Sequence, residues 1–231
     1  MTKLNLDNRL SSMADLVRQG AVFADIGTDH GYLPVFLILD GRIERAVLGD
    51  VNEGPLATAR ATARDFGVSD RVKLVLTDGL SGLSDEGLTD IAICGMGGDL
   101  IARILSDAPF VKRSGVRLIL QPMTRPGVLR RALSFLGFEI VSERYSFSQG
   151  KYYVGFAAEY TGEVREMTLA EAELGRGDFL PSDKDAYIGY LRGRVKAYTG
   201  AIDGKSAAGE SLGDLPYLRD YAEQLICGAE K

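Results

Sequence analysis

Ten residues near the start of the chain, Val22-Phe23-Ala24-Asp25-Ile26-Gly27-Thr28-Asp29-His30-Gly31, constrain the fold more than any other stretch. An apolar run ending in Asp-x-Gly-x-Asp-x-Gly is the pattern of a first strand in an open parallel sheet, turning tightly through glycines into a helix. Gly27 and Gly31 lack side chains, so the backbone there can take positive φ and approach a bound molecule closely. About twenty residues on, Arg45-Ala46-Val47-Leu48-Gly49-Asp50 reads as a second strand ending in a carboxylate placed to accept from ribose hydroxyls. That pairing points to a nucleoside.

Two cofactor classes compete for the arrangement. A dinucleotide site wants Gly-x-Gly-x-x-Gly, because its second glycine lets a pyrophosphate rest on the helix N-terminus. Here that position is Asp29. A carboxylate repels a pyrophosphate but suits the sulfonium and ammonium of S-adenosylmethionine, which is therefore the preferred ligand over NAD. The plainer alternative is a strand-to-helix turn with no ligand.

With 231 residues the chain can hold one well-buried domain plus an appendage, or two small domains. Hydrophobic residues make up 45% and charged ones 26%, which argues against disorder and fibrous architecture. The net charge of −5 exerts no global pull on nucleic acid, so any nucleic-acid surface must be a local basic patch. The N-terminal stretch mixes polar and apolar residues, with neither a signal peptide nor a membrane span, so the expected location is the cytoplasm. Two cysteines far apart and a single histidine support no disulfide framework and no zinc-type cluster, and no metal is expected.

The rest of the chain continues the alternation of strands and helices. Leu6 to Val17 is expected to be a helix covering the sheet edge next to strand one, with Arg9 and Arg18 off its apolar face. Tyr32 to Leu39 reads as the first crossover helix, with Pro34 in its first turn, and Asn52-Glu53-Gly54-Pro55 opens a second helix that runs to Phe66 and stops at Gly67. Val72 to Thr77 is a third strand ending in Asp78-Gly79. Asp25, Asp50 and Asp78 are then expected in one crevice, Asp50 on the ribose and Asp78 on the adenine amine; a helix cap is the alternative for Asp78. Asp90 to Cys94 is strand four, and Gly95-Met96-Gly97-Gly98 is expected to bare backbone at the crevice mouth before a helix from Asp99. Val116 to Leu120 is strand five, and Val128 to Leu136 is a helix displaying Arg130 and Arg131. Phe138 to Phe147 and Tyr152 to Tyr160 form a hairpin closing the sheet. Five strand-helix units plus a hairpin are the layout of a class I methyltransferase, an α/β Rossmann-like fold.

After Tyr160 the chain becomes rich in acids and glycines as far as Ser182. From Asp183, apolar residues recur at Tyr187, Leu191, Val195, Tyr198 and Ile202, a helix with one sticky seam; a polar loop over 203–213 leads to a second helix with Leu215, Leu218, Ala222 and Leu225. The two are expected to pair antiparallel, giving a domain 1–161 for the cofactor and a helical domain 162–231. Arg192, Arg194 and Lys196 lie on the first helix's polar side, either a solvated face or a nucleic-acid contact.

Taken together, LDNRLSSMADLVRQGAVFADIGTDHGYLP, GDVNEGPLATA, ICGMGGDLI and RLILQPM resemble the bacterial tRNA adenine-22 N1-methyltransferase family, which joins an S-adenosylmethionine-binding Rossmann-like domain to a C-terminal helical, coiled-coil-like domain. The resemblance runs in motif from Leu4 to about Tyr160 and continues as helix layout. The family's Ala-Asp-Ile-Gly-Ser/Thr-Asp-His stretch maps onto Ala24 to His30, its acid after strand two onto Asp50, and its Gly-Met-Gly-Gly onto Gly95 to Gly98. Family members often carry alanine at the position of Gly31 and asparagine at that of Met123, and the glycine-rich loop between the last helices is a further departure. The cofactor set implied is Asp25, Gly27, Thr28, Asp29, Gly31, Asp50, Val51, Asp78, Gly79 and Gly95. For the target base it is Asp29, His30, Gly95, Met96 and Gly97.

Enzymes that methylate the adenine amino group usually carry Asn- or Asp-Pro-Pro-aromatic after strand four, whereas this chain has Cys94-Gly95-Met96-Gly97. Ring N1 offers an in-plane lone pair and needs placement, roughly 3 Å from the methyl carbon, more than activation. If the target is tRNA, phosphate contacts are expected from Lys3, Arg9, Arg125, Arg130 and Arg131 and, on the arm, from Arg192, Arg194 and Lys196. The protein is expected to act as a monomer or weak homodimer. A small-molecule methyltransferase and a catalytically silent RNA- or partner-binding module are the competing readings.

Overall fold

The structure is a computed structural model and describes residues 4–177 and 184–231. Among these, seven strands make one sheet: β1 (Phe23–Ile26), β2 (Ala46–Asp50), β3 (Val72–Leu76), β4 (Asp90–Gly97), β5 (Arg117–Thr124), β6 (Phe138–Ser148) and β7 (Lys151–Tyr160). Their order is β3-β2-β1-β4-β5-β7-β6. The first five run parallel, and the β6–β7 hairpin joins β5 antiparallel. Strand order reverses between β1 and β4, which puts the crevice beyond their carboxyl ends, where open α/β sheets bind ligands. This is the class I methyltransferase fold expected from the sequence.

The strands read as apolar runs because both sheet faces are covered. In β1 the side chains alternate. Phe23 joins one apolar layer with Leu48, Ala92 and Ile119, and Ala24 and Ile26 join the other with Ile91, Ile93 and Leu120. The first layer is closed by α1 (Asn8–Ala14), α2 (Tyr32–Leu39) and α3 (Glu53–Asp65), the second by α4 (Gly98–Ser106) and α5 (Pro126–Phe135). Three expectations change. β1 lies inside the sheet and has no edge to cover, so α1 packs on the hairpin instead, with Met13 against Gly155 and the Asn8 amide donating to the Phe147 carbonyl at 3.1 Å. The connection from β3 to β4 carries only a 3-10 turn (Ser84–Glu86), so one of the five strand-helix units has no α-helix. And Arg18 turns inward: its guanidinium grips the buried Asp90 carboxylate at 2.6 Å, at the end of the sheet away from the crevice.

Beyond the sheet come α6 (Leu169–Leu174), α7 (Lys184–Ala207) and α8 (Leu215–Glu230). Thr168 and Glu171 cap α6 reciprocally, each side chain bonding the other's backbone N–H. The expected seam on α7 is buried at Tyr187, Leu191 and Tyr198, and the helix runs on through residues 203–207, which the sequence suggested as loop. The helix pair does not stand apart from the sheet. Tyr187 and Tyr190 pack their rings on Tyr145 of β6 at 4.9 and 5.2 Å, and Leu191, Leu218 and Ala222 belong to the same unbroken apolar body as Ala24. Among the described residues no helix is long and apolar enough to cross a membrane.

Candidate active site

The chain leaves β1 at Ile26 and is drawn over the end of β2, because the backbone N–H groups of Gly27 and Thr28 both donate to the Gly49 carbonyl at 2.8 and 3.2 Å. Gly27 takes φ +76, and a Cβ there would lie 2.2 Å from the Met96 methyl; the thioether of Met96 packs directly on the bare peptide. Gly31 takes φ +66 at the start of α2, where a Cβ would crowd Ala59 and Leu48, so its missing side chain lets α2 settle against α3. On the other side, the pairing of β4 with β5 slips on both sides of Met96, and Gly95, at φ +84, bulges into open space. The Gly-Met-Gly-Gly stretch is therefore the bulged end of a strand, and α4 starts at Gly98 instead of Asp99.

These loops enclose a crevice of about 510 Å3. Of the residues expected from the sequence it is lined by Asp25, Gly27, Asp29, His30, Gly31, Asp50, Gly95 and Met96, with Arg9 at its wall. Five expected members do not line this cavity. Asp78 and Gly79 line a second cleft with Arg103 and Ile104, although the Thr77 N–H, one residue before, donates to the Asp50 carbonyl at 2.8 Å. The Thr28 side chain is buried beneath the loop beside Asp25, Val51 stands exposed past β2, and Gly97 pairs with Thr124 in the sheet.

The sequence did not single out Asp7, Tyr32 or Cys94, which also line the crevice. Asp7 is the N-cap of α1, accepting from the Leu10 N–H at 2.8 Å, so its signature is that of a helix start. Tyr32 stacks on His30 with ring centres 5.0 Å apart and planes 10° from parallel; an aromatic directly after the last glycine was the available signal.

The crevice is acidic. Burial pushes the Asp25 carboxyl up to about 6; the Thr28 hydroxyl opposes this and the charge of Asp50 adds to it. Burial and the nearby Asp25 push the Cys94 thiol well up, which removes it as a thiolate nucleophile. Asp50 accepts the Asn52 N–H at 2.8 Å and keeps its second oxygen for a ligand. Asp29 lies 3.2 Å from His30 Nε2, both exposed at the mouth. Against four carboxylates the lining holds one guanidinium, Arg9, committed to Gln121 Oε1 at 2.7 Å and facing Asp7 at 3.8 Å. A nucleoside carrying a sulfonium and an ammonium fits this donor set, and a pyrophosphate does not.

The expected phosphate contacts divide sharply. Arg130 is 1% exposed and bound to Glu143 at 2.7 Å and to the Ala172 carbonyl at 2.8 Å; it faces inward because the hairpin presents a carboxylate to it, so it cannot meet RNA. Arg125, Arg131, Arg192 and Lys196 are exposed, the first three in surface ion pairs with Asp99, Glu173 and Glu230. Arg194 is half-buried between Glu173 and the Tyr198 hydroxyl. Lys3 lies outside the described residues.

A methyltransferase-domain family model matches residues 6–155. The tRNA (adenine(22)-N(1))-methyltransferase of Bacillus subtilis (strain 168) is 33% identical over 189 residues, 80% of this chain and 79% of that protein. The chain belongs to that family. Two solved structures place family members on the same frame. The B. subtilis m1A22 tRNA methyltransferase TrmK superposes with a TM-score of 0.83 at 27% identity, over 97% of this chain and 100% of the other. Streptococcus pneumoniae Sp1610, solved in complex with S-adenosyl-L-methionine, gives 0.82 at 28% identity, over 96% and 100%. The likeness to both solved structures spans the sheet and the helical arm alike.

Proposed function

We propose that this protein transfers the methyl group of S-adenosylmethionine to N1 of adenine 22 in tRNA. The observation that carries this reading is the acidic, glycine-floored crevice at the switch point, in a chain one-third identical to an enzyme named for that reaction. When bound, S-adenosylmethionine supplies an electrophilic methyl on a positively charged sulfur. Asp50 accepts from the ribose hydroxyls, Asp25 faces the ammonium, and the bare peptide of Gly95, which faces open space, lets the nucleoside lie against the backbone. Asp29 and His30 hold the purine edge at the mouth. The N1 lone pair forms the new N–C bond as the S–C bond breaks, so positive charge moves from sulfur to the purine. No proton leaves N1, and the acids at the mouth stabilise the charge that develops there.

Residues 1–161 carry the cofactor site and 162–231 an RNA-contacting arm, the working unit is a monomer or weak homodimer, and the enzyme works in the cytoplasm on folded tRNA. The test is incubation of the protein with labelled S-adenosylmethionine and unmodified tRNA, followed by nucleoside analysis. Label is expected as N1-methyladenosine and is expected to vanish when adenine 22 is replaced by guanine. Label at another nucleotide, or none in tRNA, overturns the reading.

A further inference from the structure

The acidic crevice is the wrong charge to hold a polyanion, so the RNA strand that delivers the adenine must run elsewhere. Three concavities are joined in series. Met123, exposed at the end of β5, lines both the crevice and a second cleft of about 480 Å3 between β5, β7 and α7. Tyr152 and Gly193 in turn line both that cleft and a wider depression along α7. Charge changes along this track. The ionisable side chains lining the middle cleft, apart from tyrosines, are Arg125, Lys151 and Arg194, with no carboxylate among the lining residues described; the outer depression is mixed, with Lys184, Arg192 and Lys196 beside Asp185 and Glu230, so the reversal belongs to the middle cleft. In a chain of net charge −5 this is a local reversal of sign.

Its floor is built to stay open and flat. Tyr152 is 41% exposed, its ring lodged over Gly189, where a Cβ would come within 2.2 Å, and packed against Phe147 at 4.7 Å between ring centres. Its phenol end is thus held on α7 and its ring against Phe147, while the side chain stays part-exposed in the cleft. Gly193, one turn along α7, has open space where a Cβ would stand, so packing does not demand glycine there; a side chain would narrow the cleft. Arg125 reaches the lip from a left-handed backbone at φ +54, and Lys151 opens β7 after the tight Gln149-Gly150 turn. An aromatic plane flanked by cations that track a groove is the arrangement that holds single-stranded nucleic acid without reading sequence.

We infer that the nucleotides next to the target adenosine cross Met123 into the cleft between β7 and α7, where a base stacks on Tyr152 and phosphates lie on Lys151 and Arg125. The inference rests on the tRNA reading above and adds the path of the strand. The experiment measures tRNA methylation kinetics, salt dependence and S-adenosylmethionine affinity for the wild type, Tyr152→Ala, Tyr152→Phe, Lys151→Glu and Gly193→Glu, with Arg60→Glu on the far-side helix α3 as the charge control.

Tyr152→Ala is expected to raise KM for tRNA on the order of 10-fold and Tyr152→Phe to restore it. Lys151→Glu and Gly193→Glu are expected to raise KM and reduce the salt slope by about one. Cofactor affinity is expected to hold in every variant. Because Gly193→Glu enters open space, it keeps the proposal testable if Tyr152→Ala loosens α7. If the wild type methylates tRNA while Lys151→Glu and Gly193→Glu leave KM within about twofold, the path is wrong and the function stands. If the wild type does not methylate tRNA, both fall. If Gly193→Glu dissolves a dimer and spares KM, the cleft is a contact between copies and the path is again wrong.

Discussion

A carboxylate buried at the end of β1 is a cost the free protein carries. Asp25 ordinarily would titrate near 3.8 and in the fold does so at about 6. The native state therefore keeps its proton to higher pH than the unfolded chain, and the resulting stability is lost as pH rises through that window. Asp25→Asn is expected to make the ligand-free protein on the order of 3 kcal/mol more stable at pH 7, from 1.36 kcal/mol per pKa unit, which thermal unfolding would register. The same variant is expected to lose cofactor affinity, since a positive ligand is what the ionised carboxylate receives. In the wild type that affinity should climb between pH 5 and 7 by calorimetry; a flat profile would detach Asp25 from the ligand. Asp25 and Asp50 were legible because each ends an apolar run and β1 and β2 are neighbours. Asp78 looked the same in sequence, and it lines the cleft it shares with Arg103 and Ile104.

Two strand-to-helix turns interlock at the mouth. A Cβ on Gly98, the first residue of α4, would lie 2.4 Å from the backbone carbonyl of Arg125, which precedes α5. Since backbone cannot swing aside as a side-chain tip can, Gly98→Ala must push the β4–α4 and β5–α5 turns apart. The expected cost is about 1–3 kcal/mol of stability together with lower turnover on tRNA; an unchanged melting temperature would show that the turns are looser than they look. The strands and helices themselves were readable from alternation and caps. What escaped were features set by distant partners: α1 sits on the hairpin, β4 runs on through a bulge at Gly95, and α5 turns one of two adjacent arginines inward because Glu143 waits on β6.

Across the molecule, that buried pair is a cross-link. Arg130 joins α5 to the hairpin through Glu143 and to α6 through the Ala172 carbonyl, while the Tyr145 hydroxyl donates to Glu143 at 2.6 Å and its ring meets α7. Glu143→Ala would leave a guanidinium buried without its counter-charge and is expected to cost about 3–5 kcal/mol in denaturant unfolding. Arg130→Met combined with Glu143→Leu should recover most of it, because an apolar pair of similar size leaves no stranded charge. The interior that surrounds this pair runs without a break from β1 into α8. With 24 residues, α7 extends about 36 Å. Such an arm cannot swing like a flap. Under the proposed function it would serve as a gauge of set length, and a short RNA fragment that presents the right base but none of the body lying against the gauge is expected to be a poor substrate.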